Sequence, residues 1–254
     1  GNRHMPISLR KLALAALPAA ALMAAAAPAN AVTQLGFVLD RSGSIGSGNW
    51  TTIVQGLSAA MSLIPLGGAY EVSVVSFASG ATIDVDSALI TNAASVAALQ
   101  AAILGIPFSG GSTDMAAGFA SMQTALTNDG GIAADAYVNL ATDGVPNDQN
   151  AATAARDALI AAGVDNISIE AIGGGVNAAY LQGSICYPQP CDTTSPYNAP
   201  AQGFYIGIAS AADFGTAVAE KITVIVNVPE PISLSLFGLG LAGLGVAMRR
   251  RQAA

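Results

Sequence analysis

The sequence predicts an α/β fold, a doubly wound and mostly parallel central sheet with helices on both faces, and three observations point to it. Short runs dominated by apolar and β-branched residues recur along the chain, Leu35 to Leu39 being apolar throughout, and such a run marks a strand buried on both faces. Between them lie stretches whose apolar residues recur at spacings of three and four, as in a helix laying one stripe on a sheet. Strand and helix alternate through the whole middle of the chain, the order that parallel crossovers require. Hydrophobic residues make up 52% of the 254 and charged residues 10%, so material for a core is ample.

A leader is expected first, over residues 5–31. Arg10 and Lys11 form a charged start, Leu12 to Ala27 an apolar run broken by Pro18, and Ala29-Asn30-Ala31 a small-x-small cleavage site. These are the parts of a secretory signal peptide. An apolar run of this kind also suits an N-terminal membrane helix, but the Ala-rich composition and the Ala-Asn-Ala exit favour cleavage. The mature, exported protein is then expected to begin near Val32.

One domain is expected over 32–228. Leu35-Gly36-Phe37-Val38-Leu39 reads as a buried strand. Trp50, Ile53, Val54, Leu57, Met61 and Ile64 then form a helical stripe that Pro65 and Gly67-Gly68 end. Glu71 to Phe77 is rich in β-branched residues and reads as the next strand. Thr82 to Leu89 reads as an edge strand, because Asp84 and Asp86 alternate with its apolar residues. Helices are expected at Ala94–Leu104 and Asp114–Leu126, the second with Met115, Phe119, Met122 and Leu126 on one stripe. A strand at Tyr137–Ala141, a helix at Ala151–Ala162 and a strand at Ile167–Ile172 follow. The start of a helix at Ala178–Leu181, a strand at Phe204–Ile208 and a last helix at Asp213–Ile222 complete the series. Gly183–Gln202, with several prolines, reads as a long insertion before the last strand. It is either a site of partner contacts or a tolerated excursion. Its Cys186 and Cys191 are the only cysteines, and in an exported chain a small-loop disulfide is expected.

Charge and composition exclude several functions. Between Val32 and Val228 only Arg41, Arg156 and Lys221 are basic, against fifteen acidic residues, a balance of −12. Phosphate backbones are bound by Lys and Arg, so nucleic acid is not an expected partner. The single His4 precedes Met5, which leaves the expected mature protein without histidine. Ser-His-Asp and Cys-His catalysis and His-ligated zinc all drop out. Asp40 follows a strand as an aspartyl nucleophile would, but Ser42 stands where a second carboxylate would be needed. No Gly-x-x-x-x-Gly-Lys phosphate loop is present. The expectation is a protein that is not an enzyme.

Three loops carry oxygen donors: Asp40-Arg41-Ser42-Gly43-Ser44 after the first expected strand, Gly110-Gly111-Ser112-Thr113-Asp114 before the Met115 helix, and Thr142-Asp143-Gly144 after the Tyr137 strand. Ligands of such sheets bind where these loops converge. Each piece alone is also what a turn or a helix cap looks like, with Thr113 as the cap of the helix behind it. Asp114 is expected as an acid in that helix's first turn and not as a ligand. Arg41 is expected to face the site or solvent without a role. Together, hydroxyls and two carboxylates with neither sulfur nor imidazole suit a hard cation, Mg²⁺ or Mn²⁺. So few acids leave the ion's charge unquenched and open to an outside anion.

These three pieces resemble, in order and spacing, the metal-ion-dependent adhesion site of the von Willebrand factor A family. The resemblance runs over about two hundred residues. It implies that Ser42 and Ser44 bind the metal directly and that Thr113 does so when a ligand is engaged. It implies that Asp40 and Asp143 hold metal-bound waters or a coordination position, and that a carboxylate from a protein or polysaccharide partner completes the shell.

The end of the chain has its own pattern. Val228-Pro229-Glu230-Pro231 precedes a glycine-dotted apolar run, Ile232 to Met248, and Arg249-Arg250-Arg251 closes it. Seventeen helical residues would cover about 25 Å, enough for a thin bilayer core, and the arginines would hold the cytoplasmic side. This order resembles the PEP-CTERM sorting signal, assigned to 229–251. That resemblance implies export in a Gram-negative bacterium that makes exopolysaccharide and cutting by an exosortase near the Pro-Glu-Pro. The product would lie at the surface, in the periplasm or in the extracellular matrix, with a membrane-held stage before processing. A permanent single-span anchor is the other reading. For the whole protein the sequence leaves two functions: metal-dependent adhesion, or a structural role in a biofilm matrix with no metal-dependent binding.

Overall fold

The computed structural model describes residues 32–128 and 130–227. The expected leader (5–31) and sorting segment (229–251) lie outside the described residues, and so does the run from Ile232 to Met248. Among the described residues no helix is long and apolar enough to cross a membrane.

The strands are β1 (Thr33–Asp40), β2 (Tyr70–Phe77), β3 (Ala81–Leu89), β4 (Asp135–Thr142), β5 (Asn166–Ile172) and β6 (Tyr205–Ile208). They form one sheet in the order β3-β2-β1-β4-β5-β6, with β3 antiparallel to β2 and every other pair parallel. The fold is the mixed, mostly parallel α/β sheet expected. The strands run a few residues longer than their apolar runs, and β3 lies at the edge that its alternating acids foretell.

The helices divide between two faces. On one, α1 (Gly46–Ala60), α2 (Ala93–Leu104) and α6 (Phe214–Val226) pack on Leu35, Phe37 and Leu39 of β1 through Trp50, Ile53, Leu57, Val96, Leu99, Phe214, Val218 and Ile222. On the other, α3 (Met115–Thr127) and α4 (Gln149–Ala161) cover Val38, Val138, Leu140, Ile167 and Ile169. Alternation along each strand therefore feeds both cores, which is why apolar residues fall on both of its faces. Caps fix where helices start. Asn92 accepts from the amides of Ala94 and Ser95, Asp114 from that of Ala117, and Asp148 from those of Asn150 and Ala151. Close packing needs glycine at one crossing: a Cβ on Gly56 of α1 would lie 2.8 Å from the Cα of Gly215 of α6.

The C-terminal third departs most from expectation. The helix expected at Ala178 is the single turn α5 (Ala178–Tyr180), which runs on as a wide turn over Leu181–Ile185. Strand β6 has four residues, and α6 begins at Phe214 after a tight turn over Ala211–Asp213. The insertion is fastened to the sheet. Tyr187 exchanges backbone hydrogen bonds of 2.8 and 2.9 Å with Ile167. Asp192 pairs with Phe204, and the ring of Tyr197 stacks on that of Phe204 at 4.5 Å. The expected Cys186–Cys191 disulfide is present, with Cα atoms 5.8 Å apart.

Candidate metal centre

Parallel pairing brings the carboxyl ends of β1, β2 and β4 to one end of the sheet, where the loops after β1 and β4 leave. The loop over residues 110–114, between α2 and α3, is brought to the same end, its Asp114 amide donating to the Ala78 carbonyl just after β2 at 2.7 Å. Asp40 ends β1 and is buried, 1% exposed. Its Oδ1 accepts from the Ser42 amide at 2.8 Å and its Oδ2 from the Thr142 hydroxyl at 2.7 Å, so two strands hold one carboxylate. Ser42 Oγ lies 3.1 Å from Ser44 Oγ, which donates to Asp143 Oδ1 at 2.7 Å. Thus the first loop and the loop after β4 meet at their hydroxyl and carboxylate oxygens.

The loop with Thr113 is tied in through its backbone. The Gly43 amide donates to the Gly111 carbonyl at 2.9 Å and the Gly110 amide to the Arg41 carbonyl at 3.1 Å. The Thr113 amide donates to Asn147 Oδ1 at 3.1 Å, and its carbonyl accepts from the Asn147 amide at 2.9 Å. A Cβ on Gly144 would lie 3.6 Å from Thr113 Oγ1 and 3.7 Å from Ser44 Oγ, so both hydroxyls border one small volume. Asp40, Ser42, Ser44, Thr113 and Asp143 are therefore brought together from three loops. Sequence reasoning did not single out Asn147 or Ser79, whose Oγ accepts from the Ser112 amide at 3.0 Å; they shape the Thr113 loop from outside the motifs.

Two neighbours sort differently from expectation. Arg41 faces neither the site nor solvent. It is 8% exposed and donates to the Pro107 carbonyl at 3.1 Å and Thr82 Oγ1 at 2.9 Å, fastening β3 to the loop after α2. Asp114, and not Thr113, caps α3, which leaves the Thr113 side chain to the site.

The donor set fits a hard cation. Neighbouring oxygens on an octahedral shell of radius about 2.1 Å lie about 3 Å apart. The Ser42–Ser44 and Ser44–Asp143 separations of 3.1 and 2.7 Å have that size. Burial raises the pKa of Asp40, against the hydrogen bonds from Ser42 and Thr142, with Asp143 adding to the rise. Burial likewise raises that of Asp143, against the bond from Ser44. Arg41 turns away, and the only ion pair among the described residues joins Arg156 to Asp157, so no side-chain cation balances the two acids. Nor do the described residues contain a cluster of three or more Asp, Glu, His or Cys able to enclose a metal. Ser44 is exposed and Asp143 half-buried, so this side of the donor set faces solvent.

Residues 34–195 match the sequence profile of the von Willebrand factor type A domain, and residues 227–251 match that of the PEP-CTERM protein-sorting motif. Comparison with curated proteins finds no match. Similar solved structures include proximal thread matrix protein 1 from the mussel byssus (18% identity, TM-score 0.62, 77% of this chain and 48% of that one). A second structure of that protein, described as having a zinc-occupied MIDAS motif, gives 19% identity and a TM-score of 0.59 over 77% and 46% of the two chains. The pilus adhesin SpaC from Lactobacillus rhamnosus GG gives 16% and 0.57 over 77% and 31%. The chain thus spans less than half the length of these proteins, and at such identities the likeness speaks for the fold.

Proposed function

This chain belongs to the von Willebrand factor type A domain family, and from that premise we propose that it is an adhesion protein that binds an acidic group through a divalent cation. Its PEP-CTERM motif marks it as exported in a Gram-negative bacterium, to the cell surface or beyond. In our reading Ser42, Ser44 and Thr113 hold Mg²⁺ or Mn²⁺ directly, and Asp40 and Asp143 hold it directly or through water. The bound ion would supply a Lewis-acid position for an anionic oxygen. The chain's own residues set that position: Asp40 is immobilised by Ser42 and Thr142, and Ser44 and Asp143 lie on the open side. A carboxylate on a protein or polysaccharide is the ligand class such a site takes, and an exosortase is the partner of the C-terminal motif.

Binding rather than catalysis is favoured by the residues around the ion. Residues 32–227 contain no histidine, and Lys221 is buried in the core at 1% exposure, far from serving Ser42 or Ser44 as a base. The observation that carries the proposal is the close approach of Ser42, Ser44 and Asp143 oxygens beside Thr113. Capture of partners from the secreted matrix of the host, with Mg²⁺ or with EDTA, tests it. Retention should fall at least tenfold with EDTA and in Asp40→Ala. The similarity to a byssus matrix protein favours a second reading, a structural matrix component. That reading predicts equal recovery with and without the chelator.

A further inference from the structure

Three polar side chains meet inside the core, away from the metal centre. Lys221 of α6 is 1% exposed, Asn139 of β4 2% and Glu170 of β5 fully buried. Asn139 pairs with Ser168 and Ala141 with Glu170, so Asn139 and Glu170 stand on the same face of neighbouring strands, two residues apart in register. That face is the one covered by α6, whose Val218, Ile222 and Ile225 flank Lys221. Lys221 Nζ donates to the Asn139 side-chain oxygen Oδ1, and it lies 5.1 Å from the centroid of the buried Phe204 ring. Asn139 Nδ2 and both Glu170 carboxyl oxygens are buried without a hydrogen-bond partner. Lys221 and Glu170 do not form an ion pair, the one among the described residues being Arg156–Asp157.

A separated ammonium and carboxylate are costly in such surroundings, and each is relieved by being neutral. Burial draws the Lys221 pKa down to about 8, opposed by Glu170. Burial also raises that of Glu170, opposed chiefly by Lys221. A neutral amine in an apolar site is a nucleophile, a neutral carboxyl is a proton donor, and a fixed contact replaces a bimolecular encounter.

We propose that Lys221 and Asn139 are joined by an intramolecular isopeptide bond whose formation Glu170 assists. The Lys221 Nζ lone pair attacks Asn139 Cγ, and the Glu170 carboxyl donates a proton toward the amide while its other oxygen takes one from Nζ. The Cγ–Nδ2 bond breaks and ammonia leaves, so one amine and one primary amide become one secondary amide and NH₃, with no oxidant. The product resolves the unsatisfied groups. The orphaned Nδ2 departs, and the new N–H and C=O can pair with Glu170. The bond fastens α6, which leads into the sorting motif at 227–251, to β4, whose end carries Thr142 and Asp143. A pull between a bound partner and the C-terminal side would then pass through covalent chain and not through helix packing.

Proteolysis of the purified full chain followed by tandem mass spectrometry tests this. The wild type should yield a branched peptide joining the segments around Asn139 and Lys221, resistant to reductant and lighter by one ammonia than its parts. Lys221→Met and Asn139→Ala should lack it, and Glu170→Gln should form it at least tenfold more slowly. Unmodified linear peptides covering Asn139 and Lys221 from the wild type would overturn the proposal, whatever the variants do. A bond formed as fast in Glu170→Gln would overturn the role of Glu170.

Discussion

At the scale of single residues, the candidate site separates side chains that hold the fold from those free to hold an ion. Thr113 is anchored by its backbone to Asn147, so removing its side chain leaves those bonds in place. Thr113→Ala should therefore weaken partner binding about tenfold or more while changing stability by less than about 1 kcal/mol. Pull-down beside a denaturant melt checks both halves. Asp40→Ala should act on both at once, because its carboxylate also accepts from Ser42 and Thr142 in a buried place. About 1–3 kcal/mol of stability should go with it, read from the same melt. The meeting of the five candidate residues was legible because each piece of the pattern is local in sequence and carries its own oxygens. Lys221, Asn139 and Glu170 were not. They come from three elements, Asn139 among apolar neighbours, Glu170 two residues after Ser168 and Lys221 next to Glu220, and periodicity carries no information on which of them pair. The one local hint was that Lys221 falls on the stripe of Val218 and Ile222.

At the scale of elements, the runs rich in apolar and β-branched residues became the interior strands β1, β2 and β4, since a strand covered on both faces need not alternate apolar with polar positions. The region after β5 was harder to read. Its ordering comes from pairing between distant residues, Tyr187 with Ile167 and Asp192 with Phe204, and from the disulfide, none of which leaves a repeating pattern. The α1–α6 crossing was also invisible, because it depends on two glycines facing each other from opposite ends of the domain. At Gly56 an added Cβ meets backbone, which cannot swing aside as a side-chain tip would. Gly56→Ala should destabilise the protein by about 1–3 kcal/mol despite the better helix propensity of alanine. A thermal melt measures it, and an unchanged midpoint would mean that the helices sit farther apart than described.

At the scale of the whole molecule, a chain with a balance of −12 between Val32 and Val228 brings a buried and a half-buried acid, Asp40 and Asp143, to the mouth of its sheet without a side-chain cation to offset them. A divalent ion relieves that arrangement, so ion binding should stabilise the fold. By mass action, free metal at about a hundredfold above its Kd adds about 2.7 kcal/mol, which is several degrees in melting temperature. EDTA should reverse the gain, and Asp40→Ala should not show it. The most direct test of the metal centre is a calorimetric titration of the protein with Mg²⁺, set beside the Asp40→Ala and Asp143→Ala variants. The account predicts saturable binding at one site in the wild type and its loss in both variants. Equal heats from all three proteins, or none from the wild type at millimolar metal, would contradict it.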